Sequence, residues 1–98
     1  MIVLKPEAAV DLAAASGWYE GKRPGLGVEF LLEADRAFER IDNRPTGYAR
    51  IHGELRRAIV RRFPYGVFFL TDGLGLVTIY AVLHHRRSPA EWQRRYVG

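Results

Sequence analysis

Apolar residues change their spacing about halfway along the chain. Up to Ile41 they recur at helical intervals, and from Leu55 onward they alternate or run on continuously, as they do in strands. Met1 to Leu4 is a short apolar run ending at Lys5 and Pro6, which predicts an opening strand followed by a helix. Proline is harmless in a first helical turn, where its missing N–H would have no partner, and Glu7 suits the positive end. Ala8, Leu12, Ala15 and Tyr19 form one face of a helix over Pro6–Glu20, whose small residues admit a close neighbour. Gly17 lowers helix propensity in its second half. Gly21 to Gly25 is a breaker cluster of the length of a helix-to-helix turn, so a hairpin is expected. Phe30, Leu31, Ala34, Ala37, Phe38 and Ile41 make the second helical stripe, with Glu33, Arg36 and Arg40 expected on its solvent side. Asp42 to Pro45 ends that helix, and Thr46–Gly53 reads as a connecting loop anchored by Tyr48 and Ile51.

The second half predicts three consecutive strands in a meander. The first is Leu55–Phe63, with Ala58, Ile59 and Val60 between two Arg pairs. Pro64 breaks the ladder before Tyr65–Leu70, and Asp72-Gly73 turns the chain into Leu76–Leu83. The near-continuous apolarity of that last run fits a strand covered on both faces. Ser88, Pro89 and Glu91 are spaced as a capping box opening a short helix that carries Trp92, Arg94, Arg95 and Tyr96. The order strand, helix, helix, strand, strand, strand, short helix specifies an α+β fold. Its sheet should be mainly antiparallel, with a helical hairpin on one face and a short C-terminal helix.

Composition narrows the class. The length of 98 residues suits one domain over 1–98, and 48% hydrophobic and 12% aromatic residues exclude disorder. Without cysteine there is no disulfide framework and no thiolate chemistry, so a reducing cytoplasm is the expected location. The longest apolar run, Gly73–Leu83, is too short for a membrane helix, and the Ala-rich start is unlike a signal peptide, so a soluble, unprocessed chain with no membrane partner is expected. Charge is divided unevenly. Residues 1–49 hold six Lys or Arg against eight acids, whereas residues 50–98 hold nine Arg against three acids. Arg presents a planar fork suited to phosphate and carboxylate, so the expected partner is acidic, either nucleic acid or a protein segment.

Two site readings follow from the residues. His84 ends the last strand, and with Glu54, Arg56, Arg61 and Tyr96 it offers the side-chain types that cut RNA: a base, cations for the phosphate and an acid for the leaving oxygen. Alternatively Trp92 among Arg86, Arg87, Arg94 and Arg95 is an interface anchor. Neither cofactor nor metal is expected. His84 and His85 are adjacent and so face opposite ways on a strand, and no phosphate-cradling glycine loop is present.

Gly53-x-Leu55-Arg56-Arg57, Arg62-Phe63-Pro64-Tyr65, Ala81-Val82-Leu83-His84, Arg86-Arg87-x-Pro89 and Trp92-x-x-Arg95 together resemble the ParE branch of the RelE/ParE toxin superfamily, over nearly the whole chain. The Ala-rich first helix, the Trp18-Tyr19 pair and Phe30 fit the same resemblance. It implies a RelE/ParE-like fold and the toxin of a bacterial type II toxin-antitoxin pair, of the kind linked to plasmid stabilization and growth inhibition. It further implies neutralisation by a cognate acidic antitoxin, in a toxin-antitoxin heterotetramer or beside a toxin homodimer. ParE-like toxins act on DNA gyrase as binding proteins, and the resemblance puts His84, Arg86, Arg87, Trp92 and Arg95 on the target. RelE-like relatives cut messenger RNA in the ribosome, and Tyr96 keeps that alternative open with Glu54, Arg56, Arg61 and His84. A third reading is a toxin fold that only binds a partner. Phe69 stands where family members often carry Tyr, so any hydroxyl role there is lost.

Overall fold

The computed structural model describes residues 1–96. The chain runs β1 (Ile2–Leu4), α1 (Pro6–Lys22), α2 (Leu26–Asn43), a 3-10 turn (Pro45–Gly47), β2 (Arg50–His52), β3 (Leu55–Val60), β4 (Tyr65–Thr71), β5 (Val77–His84) and α3 (Pro89–Arg95). The five strands form one sheet in the order β1-β5-β4-β3-β2. Only β1 and β5 are parallel, with Ile2 opposite Val77. The α+β architecture, the hairpin and the short last helix are as the sequence predicts. Among the described residues no helix is long and apolar enough to cross a membrane.

Three local expectations change. The loop expected over Thr46–Gly53 contains β2, which pairs Arg50 with Arg56 of β3. Its three residues are too few to show a period, and Arg50 and His52 are exposed, which is how a short edge strand protects itself. β3 stops at Val60 and does not run on to Phe63. Arg62 takes a left-handed conformation (φ 72°), and Tyr65 N–H donates to Phe63 O at 2.8 Å to close the turn. Glu33, expected on the solvent side of α2, is buried at 6% exposure. Arg36 reaches it at 3.1 Å along the helix and Arg62 at 3.6 Å from that turn, so the acid is held between two cations.

The helical hairpin is locked at its loop. Glu20 on the last turn of α1 accepts from the N–H groups of Gly25 (2.9 Å) and Gly27 (3.0 Å), satisfying two donors that the start of α2 leaves unpaired. Gly27 lies so close to α1 that a Cβ there would sit 2.5 Å from Ser16 O. The α1 and α2 stripes, with Phe30, Ala37 and Ile41 fully buried, cover Val60, Val67, Phe69, Val77, Ile79 and Val82 on one face of the sheet. On the other face Leu55, Phe68, Ala81 and Leu83 form a second cluster under Trp92 of α3. Trp92 stacks on Phe68, with ring centroids 5.0 Å apart.

α3 starts at Ser88, whose Oγ accepts from Ala90 N–H at 3.2 Å. The expected capping box is only half formed. Glu91 does not turn back to Ser88 but pairs with Arg87 (3.1 Å) and Arg94 (3.2 Å), because two guanidiniums outcompete one amide for its carboxylate.

A bulge in the ladder decides which way the end of β5 faces. Phe68 pairs with Ala81 and Phe69 with Ile79, leaving Tyr80 as the extra residue. It shifts the alternation by one, so that Val82, not Ala81, joins Val77 and Ile79 beneath the helices. His84, two residues on, follows Val82 to that face.

Candidate functional site

The edge of β5 is covered for only part of its length. β1 ends at Leu4, and the last bond on that side runs from Lys5 N–H to Ile79 O at 2.9 Å. Asp11 of α1 then takes over. Its carboxylate accepts from Val82 N–H at 3.0 Å and from both terminal nitrogens of Arg95, which arrives from α3 on the far side of the sheet. Arg95 also reaches Tyr80 O at 3.5 Å. The pair is largely buried, with side chains 20% and 10% exposed. Its partner Asp11 holds the Arg95 guanidinium pKa above its usual value, against the opposing effect of burial.

Past this ion pair the space between α1 and the end of β5 opens into a cleft of about 440 Å³. Ala14, Ala15 and Trp18 form its α1 wall. Val82, Leu83 and His84 form the β5 wall, Tyr65 lines it too, and Arg86 and Arg87 complete the lining from the loop that follows. The His84 and Tyr65 rings meet edge to face at 5.3 Å. His84 Nδ1 accepts from Arg86 N–H at 3.0 Å, so the neutral ring carries its proton on Nε2, where it is a donor. Burial, more than the opposing effect of Arg87, raises the Tyr65 phenol above its usual range, so it stays protonated and able to donate at neutral pH. Arg87 is tied to Glu91, whereas Arg86 is exposed and meets no carboxylate among the described residues. The polar groups of this wall are mostly donors, suited to an anionic partner.

The sequence-derived residues divide between this cleft and the interior. His84, Arg86 and Arg87 line the cleft. Trp92 is buried against Phe68, and Arg95 is bonded to Asp11, so both hold the second layer of the fold in place. The residues grouped as an RNA-cutting set lie at two ends of β3. Tyr96 Oη accepts from Glu54 N–H at 3.3 Å, and Glu54 pairs with Arg50 at 3.3 Å, beside the first residue of β3. Arg56 donates to Tyr48 O and holds the loop before β2. His84 instead lies across Tyr65 from Val60, the last residue of β3, with Arg61 next in the chain. Six strand residues span about 17 Å between those ends.

Asp11, Trp18 and Tyr65 are site residues that the sequence reading did not assign. Asp11 does leave a signal, since it sits three residues after Ala8 and four before Ala15, an acid at a core-spaced position of an Ala-rich helix. Trp18 is 57% exposed, and Lys22 Nζ lies 4.6 Å from its ring centre.

The family model for the ParE toxin of the type II toxin-antitoxin system parDE matches residues 2–89. The chain belongs to the ParE toxin family. The match takes in all five strands, both long helices and the cleft, and it stops at Pro89, before Trp92 and Arg95. A solved structure described as a chromosomal ParDE TA system from P. aeruginosa has a TM-score of 0.74 and 16% identity. It covers 85% of this chain and 92% of that one, a likeness of fold. Among curated proteins no relative matches. Membership of the ParE family makes this chain the toxin type of a toxin-antitoxin pair and bears out the resemblance drawn from its motifs.

Proposed function

We propose that this ParE-family toxin acts as a binding protein that poisons DNA gyrase in the cytoplasm and is neutralised by an acidic antitoxin. The observation that carries the reading is the cleft at the end of β5. His84, Tyr65 and Arg86 converge there as donors, with no carboxylate among the described residues placed as their acid-base partner, since Asp11 is already committed to Arg95 and Val82. Such a set binds; it does not by itself cleave. In this reading His84, Arg86 and Arg87 meet the target, while Trp92 and Arg95 keep the surface that presents them in shape. The separation of Glu54 and Tyr96 from His84 and Arg61 speaks against a single ribonuclease centre, which needs base and acid on either side of one phosphate.

Purified toxin added to gyrase and relaxed plasmid should block supercoiling and accumulate cleaved DNA, and Arg86→Glu should weaken the effect at least tenfold. Full supercoiling at saturating toxin, or ribosome-dependent messenger cleavage by the same preparation, would overturn the reading. Copurification with an acidic protein that restores supercoiling is the expected result for the antitoxin.

A further inference from the structure

The opposite edge of the sheet carries a second pocket, separate from the cleft at β5. The pairing of β3 with β2 stops at Arg56, and three residues on Ile59 O accepts from the Arg40 guanidinium at 3.2 Å. The last turn of α2 is thereby anchored beside that edge. Arg44 ends the helix with its N–H on Arg40 O at 3.3 Å, and Gly47 N–H returns to Arg44 O at 3.0 Å to close the 3-10 turn. Arg56 of β3 holds the turn by donating to Thr46 O and Tyr48 O, and the Tyr48 ring meets Phe69 edge to face at 5.8 Å. Between the helix end and this turn lies a pocket of about 430 Å³, lined by Arg40, Asn43, Arg44, Gly47 and Tyr48.

Its polar side chains have little to bond. Among the described residues those of Asn43, Arg44 and Tyr48 make no hydrogen bond, Arg40 uses one nitrogen, and no carboxylate lines the space. Arg40 and Arg44 stand one helical turn apart, where like charges repel. A cation in the last turn complements the helix dipole, but that reason does not require an amide and a phenol to share its pocket. A phosphoryl group relieves the repulsion, since it has the charge and the oxygens to take a fork from each guanidinium, where a carboxylate is filled by one. The carbonyls at the end of α2 oppose an anion, yet Arg40 O and Arg44 O already accept from the backbone. A phosphate by itself leaves most of the pocket empty. The remaining wall is the Tyr48 ring and the Asn43 amide, which offers a donor and an acceptor side by side. A flat heterocycle with the same paired groups on its edge fits that wall, and the volume lies within the roughly 300–1,000 Å³ of small-ligand sites.

We propose that this pocket is a binding site for a nucleoside monophosphate. Arg40 and Arg44 hold the phosphate, Asn43 meets the edge of the base and Tyr48 flanks it. The site lies on the β3 side of the sheet and the cleft on the β5 side, so a bound nucleotide leaves His84 and Arg86 uncovered. The inference therefore stands whether or not the target is gyrase.

The test uses the full chain and the four common ribonucleoside 5′-monophosphates in turn, followed by NMR. At least one should shift the Asn43 side-chain amide and Gly47 N–H together and to saturation. Isothermal titration should then show its nucleoside and inorganic phosphate each binding about tenfold more weakly or worse, since each fills one part of the site. Arg44→Glu removes no side-chain bond of the folded chain, so it should fold and lose about tenfold in nucleotide affinity. Asn43→Ala should weaken the nucleotide and leave inorganic phosphate unchanged, and Arg86→Glu, on the other side of the sheet, should bind as wild type does. No saturable shift with any of the nucleotides, phosphate binding as tightly as the nucleotide, or undiminished binding in Arg44→Glu would each overturn the site. So would an equal loss in Arg86→Glu, the mark of charge attraction alone, or tighter binding of hexathymidylate than of the mononucleotide, the mark of a strand-binding surface.

Discussion

Arg95 directs its charge into the fold, where it bonds to Asp11 and bridges α3 to α1 around the sheet edge. Its removal leaves Asp11 with one backbone donor in a largely buried place, which should cost roughly 2 kcal/mol of stability. Urea unfolding of Arg95→Ala checks this, and Arg95→Lys should recover only part of the loss, since an ammonium cannot make both bonds. Arg62 is held differently. It carries a side chain at positive φ, pairs with Glu29 at 2.8 Å and lies over Phe63. The hydrogen bond from Arg62 is the largest of the effects that lower the Glu29 pKa. A carboxylate whose folded pKa is depressed stabilises the fold above its unfolded value, about 4.3, and that contribution disappears as pH falls through the folded value. Glu29→Gln should therefore lower the melting temperature at pH 7, with the difference from wild type shrinking below about pH 4.

At the scale of elements, α3 has only seven residues and is held by the Arg95–Asp11 pair and by one buried side chain, Trp92. Trp92→Ala should cost about 3 kcal/mol and release α3 from Phe68 and Leu83, detectable as faster amide exchange from Ala90 to Tyr96. The hairpin has an equally narrow dependence on Gly27. Gly27→Ala sets a methyl against Ser16 O, a backbone atom, and should cost about 1–3 kcal/mol in thermal melts.

These elements also show where sequence reading succeeds. The helices and long strands were legible because their periodic faces, the breaker at Gly21–Gly25 and the turn at Asp72-Gly73 agree with one another. β2 was not, because three residues opposite a partner carry no period of their own. Nor was the solvent placement of Glu33 sound, since the cation that makes its burial tolerable comes from the turn at Arg62, twenty-nine residues on. His84, Arg86 and Arg87 come together through the resemblance of the chain's ending to ParE-like toxins, with His84 also marked by its place at a strand end. The apolar wall that makes a cleft of them depends on the Tyr80 bulge, a register shift that leaves no mark in composition.

For the molecule as a whole, the acidic first half folds mainly into the hairpin and the Arg-rich second half supplies most of the sheet and the mouth of the cleft. Association with an acidic partner should therefore slow as salt rises, more in the on-rate than in the off-rate. Surface plasmon resonance at low and high ionic strength measures both. The parallel pairing of Ile2 with Val77 has a further consequence, in time. Ile2 cannot pair until Val77, seventy-five residues on, has been made, and such distant contacts are the slow ones to form. Until then the cleft has no second wall. The cleft is therefore complete only once β5 and the loop to Arg87 have followed α1 in synthesis, a built-in interval in which a waiting partner can meet the chain before its target does.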